Sequence, residues 1–181
     1  MANGRAAISH VVINCFDFPK MLEYYTSTLG FQLSDIGKLG GVTDICFLTF
    51  DPEAEHHQLA LIAGREGEKG PGPLNHICFR LPTYKALQAR HKMLGDLGVS
   101  GIATVTHGSW LSLYSLDPEG TRIEFRWDLP WYVGQPMAGP VDLSLSEEEI
   151  KRLTIEQNRD NPRFQPIGEW SAKAAAKLPV V

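Results

Sequence analysis

The 181-residue sequence has no apolar run approaching the roughly 20 residues that a membrane-spanning helix needs. It has no basic patch and no interleaving of aromatic with basic residues, and its formal net charge is −4, which points away from nucleic acid. Cysteine is scarce. Cys15, Cys46 and Cys78 each sit in an apolar run, and none forms a C-x-x-C pair. An odd count in such positions argues against a disulfide framework and predicts buried thiols in a reducing cytoplasm. Met1 to Ala7 are small and polar and do not read as a secretory signal. What remains is an ordinary soluble composition, 43% hydrophobic and 21% charged, long enough for one domain with a sizeable core.

The order of elements occurs twice. Ile8 to Cys15 is rich in β-branched residues and reads as a strand. Asp17 offers an N-cap, Pro19 fits the first helical turn, and Phe18, Met21, Leu22, Tyr25 and Leu29 recur at helical spacing before Gly30. Three strands are expected next, over Phe31 to Ile36, Val42 to Phe50 and His57 to Ile62. A Gly/Pro/charged linker, Gly64 to Pro73, closes this half. The pattern then restarts with a strand over Leu74 to Leu81 and a helix capped by Thr83 that runs to about Leu97, with Gly98 behind it. Strands follow at about Gly101 to Val105, Trp110 to Leu116 and Thr121 to Trp127, the last two joined by the tight turn Asp117-Pro118-Glu119-Gly120.

Strand–helix–three strands, twice, predicts an α+β fold of two βαβββ modules, about 6–64 and 73–128. Neither half can bury both faces of its sheet, so the expectation is one paired domain over 1–128 that encloses a cleft. Residues 129–181 form a C-terminal extension packed on that domain. Pro130, Pro136 and Pro140 interrupt it, and Ser146 with Glu149 makes a capping box that predicts one helix, roughly Glu147 to Asn158.

Two of the six histidines, His10 and His76, occupy the third position of the matching opening strands, ISHVV and LNHIC. A pseudo-twofold pairing of the halves would turn both imidazoles toward one point. In TRIEFRW, alternation sends Ile123, Phe125 and Trp127 to one face and Arg122, Glu124 and Arg126 to the other. The apolar set belongs in the core, so Glu124 faces the cleft. Taken singly, a strand histidine is more often a packing residue than a ligand; equivalent placement in two repeats changes those odds. Two histidines and a carboxylate make the facial triad of non-haem Fe(II) oxygenases, which leaves half an octahedron open for a chelating diol and O2. Mn(II) suits the same donors. His91, beside Leu87 and Leu94, and His56 read as structural.

These segments resemble the vicinal oxygen chelate superfamily of glyoxalase, bleomycin-resistance and extradiol dioxygenase proteins. The resemblance covers about Ile8 to Trp127, and within it the match is to single-domain type I extradiol ring-cleavage dioxygenases. It implies that His10, His76 and Glu124 hold the metal. It also implies an acid–base role for His57, in HHQLAL, and places His107 and Tyr114 on the bound diol. Tyr114 precedes Glu124 by ten residues, as in the family, whereas the His107–Tyr114 gap is about two residues shorter. The implied activity is Fe(II)-dependent extradiol cleavage of a catechol by O2, in the cytoplasm, with a homodimer as the default assembly. Two other readings stay open on this scaffold. A glyoxalase- or epimerase-like isomerase would need a fourth ligand, for which Gln58 is the candidate. A fosfomycin-resistance-like transferase would use the same three.

Overall fold

The computed structural model describes residues 7–68 and 74–177. Its chain forms two compact units. The first comprises residues up to Asn75 with the turn Asp117–Thr121, and the second comprises His76–Leu116 and the residues from Arg122 onward.

In the first unit, β1 (Val11–Cys15) leads into α1 (Phe18–Glu23), followed by β2 (Gln32–Leu39), β3 (Thr43–Thr49) and β4 (Leu59–Ala63). Asp17 caps α1 by accepting the Lys20 N–H, and Pro19 stands in its first turn. The helix widens into one π-helical turn over Tyr24–Thr28, closed by Leu29 N–H donating to the Tyr24 carbonyl. Met21, Tyr25 and Leu29 are thereby fully buried against the sheet. The strand order is β1-β4-β3-β2, with β1 parallel to β4 and the other pairs antiparallel. Cys15, Cys46, Leu48, Leu59 and Leu61 are buried at 0% exposure, each leucine worth about 1.5–3 kcal/mol. Residues 69–73 of the expected linker lie outside the described residues.

The turn Asp117–Thr121 contributes two buried carboxyls to this unit. Glu119 accepts the backbone N–H groups of Phe16 and Asp17 at 3.0 and 2.7 Å. Asp117 accepts the N–H groups of Glu119 and Thr121 through Oδ1 and the buried Tyr25 hydroxyl through Oδ2. Asp117→Ala is expected to cost roughly 2–4 kcal/mol, because three donors lose their acceptor. Burial raises the Asp117 carboxyl above its ordinary 3.8. The folded chain therefore holds that proton more tightly than the unfolded chain, and this group's contribution falls as pH climbs from about 4. The gap between wild type and variant in a denaturant titration should be wider at pH 4 than at pH 7.

The second unit repeats the order. β5 (His76–Arg80) is followed by α2 (Tyr84–Asp96), β6 (Ala103–Thr106), β7 (Trp110–Leu116) and β8 (Arg122–Asp128). Its sheet runs β5-β8-β7-β6, the same arrangement as the first, with β5 parallel to β8. Thr83 caps α2 through the Ala86 N–H. Leu87 and Leu94 of α2 are buried on the face that carries Ile77, Leu111, Leu113, Ile123 and Phe125.

The C-terminal stretch belongs to this unit and is more structured than expected. It holds β9 (Trp131–Tyr132), β10 (Gly139–Pro140), α3 (Glu147–Asn158), β11 (Gln165–Pro166) and α4 (Ile167–Ala175). β10 extends the sheet beside β6, and Gln88 and Tyr84 of α2 donate to the carbonyls of Leu143 and Leu145. The expectation of one helix here is corrected to two. α4 has no side-chain N-cap, so the local signal for its start is missing; Trp170 stacking on Tyr132 at 4.8 Å holds it in place. Cys78 is also corrected. It is exposed, because β5 buries Ile77 on its helix side and turns Cys78 to the opposite face.

Candidate active site

In the second unit, alternation on β8 turns Glu124 away from α2, as expected. The side chain is only 3% exposed. Its Oε2 lies 3.0 Å from His76 Nε2, and its Oε1 accepts the Ser112 hydroxyl from β7. Parallel pairing of β5 with β8 creates this juxtaposition by setting His76 opposite Arg122 and Cys78 opposite Glu124. A buried carboxylate held by a neutral hydroxyl and an imidazole has a strong reason to take a cation. Carboxylate and imidazole are also the donors that suit Fe(II) and Mn(II). If Glu124 ligates a metal, Ser112→Ala should weaken its affinity by roughly 10–100-fold, since the carboxylate loses the hydroxyl that orients it. Competition against a fluorescent chelator measures this.

Tyr114 lies on the same face, its ring 5.8 Å from that of His76. Burial, with the Glu124 carboxylate nearby, pushes its phenol up to about 12. His107 follows β6 at a turn through Gly108, whose φ of +71° no side chain adopts comfortably and where an added Cβ would meet Val133 at 2.8 Å. The turn sets His107 Nδ1 2.7 Å from the Met137 carbonyl and Nε2 3.1 Å from the Tyr114 hydroxyl. A carbonyl only accepts, so Nδ1 carries the hydrogen, and in that tautomer Nε2 receives the Tyr114 O–H. The shorter His107–Tyr114 spacing therefore does not keep the two apart.

The first unit brings His10 against His57, with ring centroids 4.5 Å apart. His10 lies one residue before β1, exposed, with Nδ1 3.0 Å from the Ser9 hydroxyl. His56 and His57 precede β4 instead of opening it, a correction that follows from the ladder of β3 with β4 beginning at Leu48–Leu59. His56 Nε2 lies 2.8 Å from the Asp35 carboxylate, and its Nδ1 lies 2.9 Å from His57 Nδ1. The carboxylate assigns the hydrogen of His56 to Nε2. With its hydrogen on Nε2, His56 accepts the His57 Nδ1–H at its own Nδ1, which leaves the lone pair of His57 on Nε2. Desolvation, with His10 and His56 adding to it, lowers the His57 pKa below 6.5. The Asp35–His56–His57 relay was not anticipated. Its only sequence signal is the doubled histidine, since Asp35 is brought in by the β2–β3 hairpin.

Gln58 Oε1 accepts the Phe50 N–H at 3.0 Å, and β4 itself is apolar from Leu59 to Ala63. The one candidate for a fourth ligand is thus spent on backbone. Within each unit, among the described residues, no three His, Cys, Asp or Glu side chains gather closely enough to hold a metal alone.

Residues 7–125 match a family model described as the Glyoxalase/Bleomycin resistance protein/Dioxygenase superfamily. The biphenyl-2,3-diol 1,2-dioxygenase 3 of Rhodococcus globerulus is 32% identical over 126 residues, which are 67% of this chain and 63% of that protein. The biphenyl-2,3-diol 1,2-dioxygenase 2 of the same organism is 29% identical over 124 residues, 66% and 62% of the two chains. The match thus spans less than two thirds of either relative's length. Among solved structures, a glyoxylase/bleomycin resistance protein/dioxygenase domain from Frankia sp. EAN1pec aligns with a TM-score of 0.58 at 16% identity, covering 70% of this chain and 100% of that one. The fosfomycin resistance protein FosX from Listeria monocytogenes, complexed with Mn(II) and sulfate, aligns at 0.54 and 13% identity, covering 69% and 94%. These likenesses establish the fold. Among the described residues no helix is long and apolar enough to cross a membrane.

Proposed function

Because the chain belongs to the Glyoxalase/Bleomycin resistance protein/Dioxygenase superfamily, we propose that it opens the ring of an aromatic diol with O2 at one non-haem Fe(II). His10, His76 and Glu124 hold the metal in this reading. The two βαβββ modules pair into one domain over 1–128, with 129–181 as its extension, and each module contributes a histidine. The observation that carries the reading is the buried Glu124 carboxylate 3.0 Å from His76, on the sheet face that also holds Tyr114, whose hydroxyl meets His107. The dioxygenase names of the relatives support the reaction class, and the blocked Gln58 weighs against an isomerase with a fourth ligand.

When bound, Fe(II) supplies the redox chemistry that links an electron-rich diol to O2. The protein's own part is to move and hold protons. His57 presents an unprotonated Nε2, kept neutral by its lowered pKa, and takes the proton of one diol hydroxyl. It later returns that proton to the opened product. His56 is a positioning residue that fixes the His57 tautomer with the help of Asp35. Tyr114 gives its hydrogen to His107 and so offers a lone pair to the second diol hydroxyl. As the second diol proton passes to Tyr114, the Tyr114 hydrogen moves on to His107 Nε2; both His107 nitrogens then donate, and the Tyr114 O–H donates back to the substrate oxygen, where negative charge develops.

Anaerobic protein loaded with Fe(II), mixed with a panel of catechols and then exposed to air, should consume O2 and turn yellow as ring-opened product forms. No oxygen uptake and no colour with any catechol would remove this reading.

A further inference from the structure

The sheet face that carries Glu124 continues past it. Strand register puts Arg126 and Asp128 next on that face of β8, Arg80 beside them on β5, and Trp110 beside them on β7. Arg126 lies two residues along the strand from Glu124, about 7 Å of rise. Beyond this row opens a cavity of about 490 Å³, within the range of small-ligand sites. Its walls are aromatic, with Trp110 on the sheet and the stacked pair Tyr132 and Trp170 supplied by the C-terminal stretch.

Charge in this cavity does not balance. Arg80 and Arg126 each approach Asp128 through Nε, at 2.8 and 3.2 Å. Two guanidiniums against one carboxylate leave a positive charge over, and the Nη edges of both forks remain for a second anion. Ser109, Gln135 and Tyr132 of the lining are committed elsewhere. Ser109 Oγ accepts the Val133 N–H at 2.7 Å, and the Gln135 amide is held by the His107 carbonyl and the Met137 N–H. The Tyr132 hydroxyl accepts from Arg163. Arg126 is steadied by the Trp110 ring, 5.2 Å from its guanidinium carbon. A planar fork beside an aromatic wall is the arrangement that suits a carboxylate attached to an apolar arm.

We propose that this cavity is a subsite for a carboxylate carried on the side arm of the aromatic diol, received by Arg126 and Arg80 between the walls of Trp110 and Trp170. The inference names a substrate class for the dioxygenase reading and rests on it for the diol, but not for the acid. The arm is short, because the forks stand only one pleat beyond Glu124. The C-terminal stretch then has a purpose, since it builds the wall against which the arm lies.

The test uses the metal-free full-length protein and the quenching of tryptophan emission, so that it does not depend on oxygen chemistry. The probes are 3-phenylpropionate and its neutral counterpart 3-phenylpropan-1-ol. The acid is expected to bind about tenfold more tightly than the alcohol, the scale of one added charge-assisted contact. Arg126→Gln should bring the acid to the level of the alcohol. Arg80→Gln, at a side chain 67% exposed and so safe for folding, should cost about threefold for the acid alone. Equal affinity for acid and alcohol in the wild type overturns the proposal, as does an acid preference that survives both substitutions. Acid-selective quenching in a protein that cleaves no catechol keeps the subsite and removes the dioxygenase reading. Catechol cleavage without acid selectivity does the reverse.

Discussion

Glu124→Ala is expected to leave the protein without iron and without ring-cleavage activity. Glu124 is the only anion among the three proposed ligands, and it is 3% exposed. Its removal leaves two neutral imidazoles to compensate a divalent ion. Substitutions that merely disturb a ligand's supporting contacts cost about 10–100-fold in metal affinity, so loss of the charged ligand itself should exceed about 100-fold. Iron content per chain after loading, with chelator competition for the affinity, gives the measurement. Glu124→Gln keeps the shape and the Ser112 contact but not the charge, and should behave like the alanine variant. That outcome separates electrostatics from packing. His10→Ala carries the further weight, because His10 belongs to the first unit and Glu124 to the second. Iron content unchanged in His10→Ala would overturn the three-ligand assignment even if Glu124 proved essential.

The second large effect is expected at His57. Replacing it with phenylalanine should lower kcat by about 10²–10⁴, the usual worth of a positioned acid–base group, with iron content unchanged. Phenylalanine preserves a ring against Phe47, 4.9 Å away, and against His10 at 4.5 Å, so the loss would be of proton transfer and not of packing. His56→Phe should give a smaller fall of about tenfold, since His57 keeps its nitrogen but loses the partner that fixes its tautomer. Equal turnover by wild type and His57→Phe would take the acid–base role away from His57. It would leave the relay from Asp35 as a surface hydrogen bond with a second histidine appended.

Much of this architecture is legible in the sequence because its signals are local. The helix caps at Asp17, Thr83 and Ser146 all form, since each is a side chain meeting an N–H three residues on. The alternation of Arg122-Ile123-Glu124-Phe125 places Glu124 on the right face because a strand's period of two is exact. The misses share a cause. The π-turn at Tyr24–Thr28 comes from packing Tyr25 and Leu29 against a sheet that the helix sequence does not encode. The exposure of Cys78 follows from which face of β5 the second unit buries, not from the apolar run in which it sits.

By itself the sequence determined the twofold order of strand, helix and three strands, the caps that begin its helices, and the side of β8 to which Glu124 points. These depend on contacts within a few residues, where chain geometry leaves little choice. Only the tertiary structure decided that Glu124 meets His76 and Ser112, that His107 takes the Tyr114 hydrogen, and that Arg80 and Arg126 share Asp128. Each of these pairs joins residues from different strands or loops, and their distance is set by sheet register, which no single segment specifies.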